Sequence, residues 1–368
     1  MDEYLHLMMG RILISIFLLG FAYVGSPAQE TNWIETREGC KVYLPDRLVS
    51  DKVSWSGDCR EGYANGVGNA VWFEKHQKIQ TYSGEMVNGL PSGKGKFEHL
   101  LLNIKIDGKF QNGVPSGMVK YLEFTRKNDL KRYYEGRFLD GKPIGEGIEI
   151  LFSEGDTSIY YKGDFQGWKW EGKAFLYREY VDGGRYDYSG DMRNNGWKGR
   201  GEISYYEGSR QIFYYSGEVD ANQKNGHGEE RRGDNLYVAE WENGVINGKG
   251  KIYFQDELVF EGQWLNGDFS GKCWKKFLDG STYYGNFEQG EPSGLGIKTW
   301  KNGGHYIGQF KRGVFNGLGS ISVNDQSRSG SWENGILRKE SDKVSKQLEK
   351  IYKEDYTELL SKSDKVRN

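Results

Sequence analysis

The chain has 368 residues, with 50 Lys and Arg against 52 Asp and Glu, and this near-neutral balance of −2 leaves no basic excess of the kind nucleic acid requires. Glycine occurs 53 times, aromatic residues make up 15% of the chain and proline occurs only 6 times. That aromatic content excludes a disordered polymer, and glycine without a three-residue period excludes collagen, which leaves short strands and many turns.

Residues 1–28 predict a secretory signal. Arg11 precedes the apolar run from Ile12 to Gly25, and Ser26, Pro27 and Ala28 supply the small residues of a cleavage site near Ala28. The run is about 14 residues, short of the ~20 that span a bilayer as a helix. Asp2 and Glu3 are foreign to such a segment, which points to Met8 or Met9 as the start. An uncleaved N-terminal anchor is the alternative. The expected location is secreted or periplasmic.

Residues 29–54 read as an entry segment. In a chain bound for an oxidising compartment, Cys40 and Cys59 predict a disulfide, against the alternative of two unrelated buried thiols. Closing such a loop contributes roughly 3 kcal/mol. Cys273 stands where a repeating Gly-x-Gly would place its second glycine, and reads as a small residue filling that slot.

Residues 55–337 repeat one pattern about twelve times: aromatic, x, Gly, x, aromatic, a turn, then Gly-x-Gly. Units begin near Trp55, Tyr82, Ile106, Tyr134, Tyr161, Tyr188, Tyr215, Tyr237, Phe260, Tyr283, Tyr306 and Arg328, and the third residue of each is Gly except Ala239. Repeats of this size form arrays in which each unit buries its surface against its neighbours. Phe260, Gly262 and Trp264 alternate with Glu261 and Gln263, a strand period. Asn266-Gly267, Asn88-Gly89 and Asn334-Gly335 are hairpin turn signals, because Asn-Gly tolerates positive φ. Most early units are four residues longer than the later ones, an even number that lengthens both strands without turning side chains to the other face. Each ring is expected to lie over a neighbouring bare glycine backbone. The predicted fold is all-β: an elongated, curved, single-layer antiparallel sheet of tandem hairpins, with a groove on its aromatic face.

Residues 338–368 lack Gly and Pro and are densely charged. Val344, Leu348, Ile351, Asp355 and Leu359 fall at helical spacing, with Ser341 as an N-cap. The predicted short helix covers the open edge of the last hairpin; engagement of a partner is the alternative.

The pattern Tyr-x-Gly-x-Phe-x-x-Gly-x-x-x-Gly-x-Gly resembles the membrane occupation and recognition nexus (MORN) repeat. The resemblance covers about Trp55 to Gly335, and the copies from Tyr82, Tyr134, Tyr188, Phe260, Tyr283 and Tyr306 match well. The unit from Ile106 lacks its ring and has Val119 for its last glycine; the unit from Tyr161 is irregular through Trp168 and Trp170. The opening from Cys40 to Cys59 is similar to the entry segment of exported bacterial MORN proteins. The resemblance implies a protein-interaction or scaffolding array, with membrane association as a further possibility in such families.

The sequence contains neither a Gly-x-Ser-x-Gly elbow nor a Gly-x-x-x-x-Gly-Lys-Ser/Thr loop. The histidines are scattered, and none stands at metal-ligand spacing. Gly-Lys-Gly at Gly93 and Gly248 lacks the strand and helix that a phosphate loop needs. Asp164, Asp191 and Glu218 recur after the strand glycine, which favours cross-strand partners of lysine over a catalytic pair. The reading is therefore a non-catalytic, cofactor-free exported scaffold that binds a protein partner. Trp241, Trp264, Phe287, Phe310 and Trp332, equivalent rings of successive units, are its candidate groove; packing on neighbouring repeats alone is the competing role. A cell-wall glycan or a lipid surface is the alternative ligand.

Overall fold

The computed structural model describes residues 33–44, 50–153, 156–180, 183–324 and 326–352. The signal segment, Asp355 and Leu359 lie outside them. The described chain is all strand and turn except for one helical stretch, residues 344–352. It divides into two compact units, up to Arg210 and from Gln211 onward. None of its helices is long and apolar enough to cross a membrane.

In the first unit, every strand from Tyr63–Glu74 to Gly196–Glu207 pairs antiparallel with its neighbours in sequence. The entry segment attaches to the start of this ladder. Lys52–Trp55 and Asp58–Arg60 both pair with Tyr63–Glu74, and Trp33–Glu35 pairs with Lys41–Tyr43. The disulfide Cys40–Cys59 ties these pieces together across a Cα separation of 5.7 Å, as the sequence predicted. Val42 is fully buried beside it.

The second unit repeats the same ladder from Arg210–Asp220 to Ile336–Glu340. Its strands are shorter. Thr282–Glu288 and Glu291–Thr299 have 7 and 9 residues, against 10 and 12 in Leu130–Leu139 and Lys142–Ser153. The extra residues of the early units therefore lengthen both arms of a hairpin, and the ring positions keep their face.

The turns show why Asn-Gly and Asp-Gly recur. Asn88 and Gly89, Asp140 and Gly141, and Asn334 and Gly335 all have positive φ at both central positions, the geometry of a type I′ turn. Each turn is also stapled to the unit before it. The amide of Gly113 donates to Pro91 O at 3.0 Å, that of Gly141 to Pro115 O at 3.1 Å, and that of Gly313 to Pro292 O at 2.9 Å. The turn glycine thus serves both its own hairpin and the junction with the preceding one.

The C-terminal helix departs from expectation. It does not lie along the edge of the last hairpin but on the sheet face opposite the rings, where Val344 and Leu348 are buried against Leu295, Ile297 and Ile307. Ile351 is 59% exposed, and Tyr352 takes the third contact instead. A helix lying on a face keeps a stripe at i, i+4, i+8, which residues 344, 348 and 352 satisfy. Ser341 accepts a long contact of 3.4 Å from the amide of Lys343, just ahead of the helix.

Candidate functional site

The ring face is built from one local device, repeated. The first ring of a regular unit lies over two facing glycines. A Cβ placed at Gly296 would stand 2.3 Å from the Tyr283 hydroxyl, and one at Gly319 would stand 2.0 Å from that of Tyr306. Only hydrogen fits there. The ring then finishes its contact through its oxygen. The hydroxyls of Tyr82, Tyr134, Tyr161, Tyr188, Tyr215, Tyr283 and Tyr306 donate to the carbonyls of Glu85, Arg137, Asp164, Asp191, Glu218, Asn286 and Gln309, at 2.6 to 3.3 Å.

Those carbonyls belong to a β-bulge. Opposite the residue after the strand glycine, register slips, for example between Gly285 and Phe287 and between Gly308 and Phe310. The first glycine of Gly-x-Gly carries positive φ at the slip, as in Gly93, Gly145, Gly226 and Gly294. This accounts for the acidic residues. Glu218 accepts the amide of His227 at 3.3 Å, Glu240 that of Lys249 at 2.9 Å and Asp191 that of Arg200 at 3.4 Å. Asp164 stands over Gly172 in the same place. They cap the bulge and are not the lysine partners expected of them. Lysine pairing occurs one residue before the strand glycine instead, as in Lys96–Asp107 and Lys251–Glu261. Sequence reasoning missed this because a bulge cannot be read from alternation, although an acid just after the strand-glycine position in six of the twelve units, from Asp58 to Glu240, was a visible signal.

Unit nine breaks the rule in a compensated way. Phe260 has no hydroxyl. Cys273 replaces the second glycine and is buried, with its sulfur over Gly262. Its thiol contacts the carbonyls of Gln263 at 3.6 Å and Ser270 at 3.4 Å. These are the counterparts of Glu85 and Ser92, which accept the Tyr82 hydroxyl. One atom of sulfur thus fills the slot and replaces the missing hydroxyl. Burial pushes the Cys273 thiol above its ordinary range, which keeps it protonated and able to donate.

The ring phenols should resist ionisation. Burial raises Tyr82 from 10.0 to about 12, opposed by its hydrogen bond to Ser92, and burial raises Tyr134, Tyr188, Tyr283 and Tyr306 further. The folded state therefore holds more protons than the unfolded chain once the pH exceeds about 10. Stability is complete below that value and declines as pH rises through 12. Titrating phenolate absorbance alongside circular dichroism should show these tyrosines ionising only with loss of the sheet; ionisation near pH 10 in an intact fold would contradict this.

Of the five groove candidates, Trp241, Phe287, Phe310 and Trp332 are buried, and Trp264 is half-buried. Each lies edge-on to the first ring of the preceding unit or of its own. Phe310 meets Tyr283 at 4.9 Å and Tyr306 at 5.2 Å; Trp332 meets Tyr306 at 5.5 Å; Trp241 meets Tyr215 at 5.7 Å. Edge-to-face pairs of this kind contribute about 0.5–1.5 kcal/mol beyond area burial. The structure thus aligns the five on one face within the stack, with the Trp264 ring the most open to solvent.

Charged groups also enter this face. Two residues after the second slot of Gly-x-Gly, the first unit has Glu149, and the second has Glu230, Lys275 and Lys298. Glu149 lies 3.1 Å from Arg132 Nε, in an ion pair not aligned as a hydrogen bond, and accepts Trp170 Nε1 at 2.7 Å. Burial raises its carboxyl, while Arg132 and Trp170 oppose the shift. Glu230 is buried between Lys224 and Arg232, and the Lys224 ammonium stands 3.7 Å from the Trp241 ring centroid. Among the described residues no group of His, Cys, Asp and Glu is arranged to hold a metal ion.

The MORN repeat family matches residues 82–98, 134–152, 215–236, 237–259, 260–282, 283–305 and 306–326. No curated protein matches the chain. The units from Trp55, Ile106, Tyr161, Tyr188 and Arg328 fall outside the matched stretches. In the units from Ile106 and Tyr161 the strand glycines Gly108 and Gly163 face Val119 and Ala174 where a second glycine would stand, whereas Tyr188 keeps the full ring-on-glycine geometry over Gly190 and Gly201. With the ring, the glycine pair and the bulge recurring together in both units, the chain carries MORN repeats.

Proposed function

We propose that this protein is an exported, non-catalytic scaffold that uses its repeat sheet to bind another protein. MORN repeats are commonly binding or scaffold modules, and the observation that carries the reading is the repeat itself. The tyrosines, glycines and bulges of each unit are consumed in holding the array together, so successive units present their remaining positions at fixed spacing. Such regular presentation suits an extended partner better than a single reacting group. The rings of Trp241, Phe287, Phe310 and Trp332 form the wall of the binding face, and Trp264 offers the ring surface most available for contact. The Cys40–Cys59 disulfide is compatible with an exported protein.

The test is affinity capture from the exporting cell's envelope with residues 29–368. A partner retained by the native chain and lost with Trp264→Ala, at unchanged thermal stability, supports the proposal. Retention of purified wall polysaccharide or of lipid vesicles, with no protein captured, would replace it.

A further inference from the structure

Four charged residues occupy the same inner position in different repeats, and they are not treated alike. Both acids are neutralised from within: Glu149 by Arg132 and Trp170, and Glu230 by Lys224 and Arg232. Lys275 and Lys298 have no hydrogen bond and no ion pair among the described residues. They are one row of the ladder, in register through Tyr283, which lies between them. Both ammonium groups converge on one ring: Lys275 Nζ is 5.3 Å and Lys298 Nζ 5.2 Å from the centroid of Phe277, and Lys275 is also 4.9 Å from that of Phe269. Both side chains are partly buried.

The acid nearest in effect is Asp279, whose charge is felt by Lys298. Its carboxylate is already engaged, accepting the amide of Ser281 at 2.8 Å and its hydroxyl at 2.6 Å. Cation–π contact offsets only part of the cost of withdrawing an ammonium from water. Burial accordingly lowers Lys275 from its ordinary range. Two like charges held on an apolar wall, with no ion pair to either among the described residues and only the Asp279 charge acting on Lys298 from beyond ion-pair distance, weaken the fold, and groups that do so are typical of places kept for binding.

We propose that Lys275 and Lys298, over Phe277, form a docking site for the acidic side chains of a polypeptide segment laid across the ring face of the second unit. The two lysines stand two strands apart, about 10 Å. A peptide in the polyproline II conformation has three residues per turn and advances about 9 Å per turn, so carboxylates at i and i+3 fall on one edge and can meet one ammonium each. This identifies the chemistry of the partner and rests on the protein-binding reading above.

The test titrates the chain of residues 29–368 with a fluorescein-labelled peptide of ten glutamates, followed by anisotropy. Saturable binding that weakens at least tenfold in Lys275→Gln/Lys298→Gln, and remains in Lys276→Gln, supports the site; Lys276 pairs with Glu257 on the other face. A second readout separates binding from structure. Lys275→Met, which keeps the packing and removes the charge, should raise the melting temperature. No saturable binding, equal loss in Lys276→Gln, or a lowered melting temperature with Lys275→Met would each overturn the proposal. Binding of polygalacturonate or inorganic phosphate in place of the peptide would overturn it as well. In envelope capture, a partner kept by Lys275→Gln/Lys298→Gln sinks this site and leaves the scaffold reading intact, whereas a native chain that captures nothing sinks that reading.

Discussion

Gly319→Ala will destabilise the second unit out of proportion to its single added carbon. The new Cβ would lie 2.0 Å from the Tyr306 hydroxyl and 2.3 Å from its Cζ. Tyr306 cannot give way easily, because it is stacked on Phe315 at 3.8 Å and edge-on to Phe310 and Trp332. Overpacking of this kind costs about 1–3 kcal/mol. Losing the hydroxyl's bond to the Gln309 carbonyl, 3.2 Å long, adds about 1 kcal/mol. Urea unfolding measures the sum. Unit nine prescribes the rescue: Phe260 with Cys273 occupies the same places without strain between them. Tyr306→Phe with Gly319→Cys should therefore be less harmful than the two single changes added together, by about 0.5–3 kcal/mol of coupling. Additive single effects, or a Gly319→Ala variant as stable as the native chain, would show that the ring does not need the bare backbone.

The second large effect concerns the helix. Leu348→Ala removes one of three anchors, and truncating a fully buried leucine costs about 2–5 kcal/mol. A helix this short is marginal by itself in water, so the expected result is detachment of residues 344–352, with the hairpins left standing. Hydrogen exchange should accelerate at the Gln347 amide, which donates to Lys343 O, and remain slow at the Leu318 amide, which donates to Gln309 Oε1 at 2.7 Å. Uncovering Leu295, Ile297 and Ile307 should also bring binding of a hydrophobic dye. Unchanged exchange at Gln347 would mean that the helix is held by something other than this face. Gln309 shows how local the fit is. Where units such as those of Asp191, Glu218 and Glu240 cap the bulge with a carboxylate, this one uses an amide, whose Nε2 donates to the Tyr352 hydroxyl at 2.7 Å. A carboxylate could accept the Leu318 amide but could not donate upward.

Reading the helix from sequence illustrates a general limit. Apolar spacing placed a helix at the C-terminus and identified Val344 and Leu348, but it chose Ile351 over Tyr352. Both fall within one turn of the stripe. The decision between them depends on where the sheet lies, and Tyr352 wins because Gln309 offers its oxygen a partner.

The bulge shows the same limit. Asp164, Asp191 and Glu218 were visible as a recurring feature, and a period of two placed them on a polar face. Their acceptor role follows from a slip in register that changes which amides are free, and no alternation pattern carries that information. Likewise, the five equivalent rings could be named from their offset in each unit, but how far each would be covered by the next hairpin could not.

The sequence by itself determined the hairpin, its turns, the face of the rings and the Cys40–Cys59 pair, because each depends on residues close together or repeated at a constant interval. Positive φ at Asn-Gly and a ring four residues from its neighbour are local requirements, and repetition multiplies a weak signal. Only the tertiary structure decided which carbonyl receives each tyrosine hydroxyl, which sheet face the helix occupies, and that Lys275 and Lys298 share one ring with no ion pair to either among the described residues. Those outcomes depend on neighbours brought together by strand register, where a displacement of one residue exchanges every partner.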